Sequence, residues 1–73
     1  MRDDRLVAMA NQIAANVPDP ARAAEQTAAH LRTFWAPVMI DDLAAIAHDQ
    51  PDVVAPAVRE ALSTLRLRAD SGA

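Results

Sequence analysis

His30-Leu31-Arg32-Thr33-Phe34-Trp35-Ala36-Pro37-Val38-Met39 is the stretch on which the fold turns. It holds the chain's only Phe and only Trp, side by side where a helix has to stop, because Pro37 pushes Ala36 out of helical geometry. Upstream, Ala24, Ala28, Leu31 and Trp35 recur at helical period, and Phe34 falls at the edge of that stripe, about 80° from its centre. With no Tyr, no Cys and one Gly among 73 residues, the two rings are either the centre of the core or the handle by which a partner holds the chain. Both readings hold together if Trp35 is core and Phe34 faces outward.

Prolines divide the rest of the chain into four helical segments. The first spans about 4–16, with Leu6, Met9, Ala10, Ile13 and Val17 on one stripe and Asp3 or Asp4 as cap. Asp19-Pro20 starts the second, Asp as N-cap and Pro where its missing N–H is no loss, and it runs to about Trp35. The third, about 37–48, presents Met39, Leu43 and Ile46, widened by Ile40 and Ala47, with Asp41 and Asp42 placed early to suit the helix dipole. The fourth runs from Ala55-Pro56 to about Leu67, with Val58, Ala61, Leu62 and Leu65 inward. Met9 and Met39 read as core, and 69–73 as a disordered tail. No repeat and no strand-like alternation occurs. The expectation is one all-α domain over 1–73, a small bundle of three to four short helices with no sheet.

Eighteen of the 38 apolar residues are Ala, which bury one methyl each, so the core is small for the chain. Chains of this size gain stability from disulfides, a metal or a partner. There is no Cys, and His30 and His48 stand eighteen residues apart with no acidic companion at ligand spacing, which leaves a partner. Seven Arg, no Lys and ten acidic residues give a net charge of −3, opposed to duplex nucleic acid. No apolar run has the length of a membrane span, and the N-terminal residues lack the apolar region of a signal peptide. A cytoplasmic location is expected.

Catalytic motifs are scarce. One Gly excludes a glycine-rich phosphate loop, and the absence of Cys and Lys removes a thiol nucleophile and a Schiff base. Neither Ser63 nor Ser71 has an adjacent base, and Asp41-Asp42 point about 100° apart on a helix, as an exposed pair rather than a carboxylate dyad. Arg32, Phe34 and Trp35 form instead a candidate interface anchor, since Arg and Trp are the types that dominate binding energy at interfaces. Met39 and Asn11 are lesser candidates for the same role. Asn11 projects about 140° from the first stripe, either solvated or bonded to a partner's backbone.

Three blocks carry a family resemblance: Met9-Ala10-Asn11-Gln12-Ile13-Ala14, then His30-Leu31-Arg32-x-Phe34-Trp35-x-Pro37-x-Met39, then Val58-Arg59-Glu60-Ala61-Leu62-x-x-Leu65. Together they resemble the delta subunit of NAD-dependent, molybdenum-containing formate dehydrogenase, over about Leu6 to Leu65. Ala36, Val38 and Ile40 depart from that pattern, which often has Asp, Arg and a charged residue at these positions. The resemblance implies a non-catalytic accessory subunit of a hetero-oligomeric complex that oxidises formate with reduction of NAD. It implies an alpha subunit carrying molybdenum bis-guanine-dinucleotide and iron–sulfur clusters. A beta subunit would carry FMN and the NAD site, and gamma a further cluster. The delta chain would hold no cofactor and support assembly or stability of the catalytic subunit. The alternative, a free-standing helical regulator or DNA-binding module, calls for a basic recognition helix that no segment supplies.

Overall fold

A computed structural model describes the backbone of residues 2–72 and the side chains of 5–66. Four α-helices make up the chain: α1 Arg2–Ala15, α2 Ala23–Phe34, α3 Pro37–Asp49 and α4 Pro56–Gly72. Short 3-10 turns at Pro20–Arg22 and Pro51–Val53 precede α2 and α4. No strand occurs among the described residues, so the all-α expectation holds.

Proline chemistry sets the boundaries. Asp19 is extended, and its carboxylate accepts the Ala21 N–H at 3.0 Å while Pro20 opens the turn. The sequence merged this turn with the following helix; α-helical geometry begins only at Ala23, after Arg22. At the other end, Ala36 is extended ahead of Pro37, as steric exclusion requires. Trp35 is extended too, although its N–H still closes on the Leu31 carbonyl at 2.9 Å. Two consecutive extended residues therefore form the elbow between α2 and α3. The fourth helix continues to Gly72 rather than ending near Leu67. The tail expected at 69–73 lies outside the residues whose side chains are described.

Ala10, Ala14, Leu31, Trp35, Leu43, Val54, Val58 and Leu62 form the core cluster. α2 and α4 make the most extensive contact. Pro56 and Ala57 lie near Ala21 and Ala23, while Thr64 and Leu65 lie near Ala28 and Arg32, so the two helices run in the same sense. α3 makes the return path. The radius of gyration, 11.3 Å, is that of a compact chain, for which about 11 Å is expected at this length.

Three positions depart from the expected core. Met9 is 41% exposed, because α1 turns its alanines inward: the buried line is Ala10 and Ala14, flanked by Leu6, Val7 and Ile13. Small side chains let α1 approach its neighbours closely, and Met9 and Asn11 lie about 100° to either side of Ala10. Thr27 is fully buried on α2, and its Oγ1 has no hydrogen-bond partner. Val54, in the connection the sequence left as a break, is a core residue. Asp41 and Asp42 fall beyond the first turn of α3, since the helix starts at Pro37, so their dipole role is slight.

Candidate functional site

The elbow separates the two rings. Phe34 ends α2 and is 72% exposed, the most exposed large apolar side chain among the described residues, while Trp35 next to it is 8% exposed and packs in the core. The extended backbone at Trp35 takes its ring away from the helix surface that carries Phe34. His30, one turn earlier on α2, sets its imidazole beside the Phe34 ring with centroids 4.7 Å apart and planes tilted by 44°. Across the elbow, Pro37 and Val38 at the start of α3 are also exposed, Val38 by 64%. His30 and Phe34 on one side of the elbow and Pro37 and Val38 on the other are thus all exposed, while Trp35 between them is buried.

The other sequence candidates do not gather there. Arg32 is two positions from Phe34, about 200° around the helix, and lies in a groove between α2 and α4 with Ala24, Ala28, Glu60, Thr64 and Leu65. Met39 is half-buried and packs against the core. Asn11 is engaged within its own chain: its Nδ2 donates to the Val53 carbonyl at 3.0 Å, and its Oδ1 accepts the Ala55 N–H at 2.9 Å. Its amide replaces one rung of backbone pairing in the loop before α4. Neither solvation nor a partner is needed to explain it. Sequence reasoning missed Val38 as a surface residue, although at helical period it stands about 140° from the inward Leu43.

Chemistry-bearing groups remain dispersed. Among the described residues, no group of three or more His, Cys, Asp or Glu is placed to hold a metal ion, and no helix is long and apolar enough to cross a membrane. The arrangement offers an exposed aromatic anchor on a rigid footing, which is the equipment of a docking surface.

No curated protein and no solved structure matches the chain. A family match does exist, to the family described as NADH-dependent formate dehydrogenase delta subunit FdsD, and it covers residues 5–62. That span takes in α2, the elbow and α3 whole, together with the Asn11 contacts to the loop before α4. The chain therefore belongs to the delta-subunit family of NAD-dependent formate dehydrogenase.

Proposed function

We propose that this chain is a non-catalytic accessory subunit that docks on the molybdenum-containing alpha subunit of a cytoplasmic formate dehydrogenase complex. The observation that carries the reading is the 72% exposure of Phe34, in a chain whose one other ring is committed to the core. Solvation of a phenyl ring is unfavourable, and burying it in a partner's socket contributes about 1.5–3 kcal/mol. Val38 and His30 widen the contact, Met39 packs against the core, and Arg32 faces a different side of α2.

Mechanistically, a subunit that binds only the folded or cofactor-loaded alpha subunit stabilises that state by mass action, about 2.7 kcal/mol at a hundredfold excess over Kd. The redox groups belong to the larger subunits in this reading: molybdenum bis-guanine-dinucleotide and iron–sulfur clusters in alpha, FMN and NAD in beta, a further cluster in gamma. Co-purification tests it. A tagged copy should recover the alpha subunit, identified by mass spectrometry, and Phe34→Ala should lower that recovery. Full recovery and unchanged stability of the complex with Phe34→Ala would remove the elbow from the interface.

A further inference from the structure

Between Arg32 and Arg59 lie 26 residues that contain Asp41, Asp42, Asp49 and Asp52 and no Arg or Lys, while all seven Arg lie elsewhere. Three of these acids share the outer side of α3. With Leu43 marking the inward direction, Pro37, Val38, Asp41, Asp42, Ala45, His48 and Asp49 fall about 100–160° from it at helical period, so the face carries three carboxylates and one imidazole. All seven are exposed. Val38, Asp42, Ala45 and Asp49 form one line about 16 Å long, starting at the elbow.

Nothing within the described residues employs these carboxylates. Asp41 and Asp42 lie beyond the first turn, where capping and the dipole act. The ion pair among the described residues is Arg22–Glu25, on α2 and the turn before it. The side-chain hydrogen bonds there involve Asn11, Gln12, Asn16, Asp19 and Thr64. An unpaired acidic line thus begins beside the apolar elbow, which is the layout of an interface with an apolar centre and a charged rim.

We infer that the outer face of α3 is the rim of the docking surface, and that its occupant is a basic patch on the alpha subunit. Lys and Arg there would surround an apolar socket for Phe34 and Val38. The inference rests on the accessory-subunit reading and adds the chemistry of the partner's side. Its sign excludes polyanions, because nucleic acid and anionic lipid are repelled by three carboxylates. It also disfavours a two-fold pairing of this face with itself, which would set like charges opposite each other. Rim charges of this kind speed encounter and fix register more than they hold the complex together, and salt screens them.

Association of the full chain with the alpha subunit, followed at about 50 and about 300 mM salt, tests the proposal. For the wild type, the association rate should fall roughly tenfold or more across that range. The triple variant Asp41→Asn, Asp42→Asn, Asp49→Asn should associate about tenfold more slowly at low salt, respond little to salt, and dissociate at nearly the wild-type rate. Phe34→Ala should act oppositely, accelerating dissociation and keeping the salt response. Wild-type rates and salt response in the triple variant, with Phe34→Ala still releasing the complex, overturn the acidic rim and leave the accessory reading standing. Failure of the wild-type chain to bind the alpha subunit at any salt overturns both. Salt-sensitive self-association that the triple variant abolishes would make a second copy the occupant and overturn the proposal. Retained helicity by circular dichroism establishes that the variant is folded.

Discussion

Phe34 and Trp35 are consecutive in sequence and opposite in burial, 72% against 8% exposed. One helix end and one extended residue achieve this, so the same dipeptide supplies an exposed ring and an interior support. Their substitutions should separate cleanly. Trp35→Ala removes a ring from the core and should cost about 3–5 kcal/mol, enough to unfold a chain this small. Phe34→Ala should change the stability of the lone chain by no more than about 0.5 kcal/mol. Urea denaturation of the two variants provides the comparison, and equal losses would contradict the assignment of their roles.

Asn11 fixes the backbone on both sides of Val54, which is 2% exposed. Asn11→Ala should leave the Val53 carbonyl and the Ala55 N–H to water and cost about 1–2 kcal/mol. Asn11→Asp retains an acceptor for Ala55 but turns a carboxylate oxygen against the Val53 carbonyl, so a loss at least as large as that of Asn11→Ala is expected. Hydrogen exchange should show faster exchange at the Ala55 amide in both variants. Protection as strong as in the wild type would mean that the loop is held by Val54 packing alone.

Thr27 is a cost that the fold carries. Its side chain is fully buried and its hydroxyl has no partner. Replacing it with Val keeps the shape and removes the unsatisfied group, so Thr27→Val should stabilise the chain by about 1 kcal/mol. Thermal melting reads the change. A lower melting temperature would indicate that the hydroxyl has a partner in solution.

Asp19 organises the start of the second helical region through its bond to the Ala21 N–H. Asp19→Ala should cost about 1 kcal/mol, and Asp19→Ser or Asp19→Asn far less, since either supplies an acceptor. Denaturant midpoints of the three variants form the test, and equal losses in all three would point to a role outside capping.

Much of the fold was legible because prolines punctuate it: Pro20, Pro37, Pro51 and Pro56 each stand at the first position of a helix or turn. The inward residues of α3 and α4 followed from periodicity, with Leu43, Val58, Ala61 and Leu62 all buried. The α1 stripe was rotated because hydropathy favours Met9 over alanine, whereas close helix approach favours alanine. Asn11 was unreadable for a different reason: its partners are 42 and 44 residues away, and local pattern carries no such pairing. The candidate site was half visible. Grouping Arg32 with Phe34 overlooked the half-turn that separates positions two apart on a helix. The outward face of Val38 was readable from its angle to Leu43, and only its place across the elbow from Phe34 needed the structure.

The chain has one indole and no phenol, so its intrinsic fluorescence comes from a single interior point. Emission from Trp35 therefore gauges whether the bundle is assembled, undiluted by any second fluorophore. Unfolding exposes the indole to water and shifts that light, which gives this small chain a built-in optical report on losing its shape.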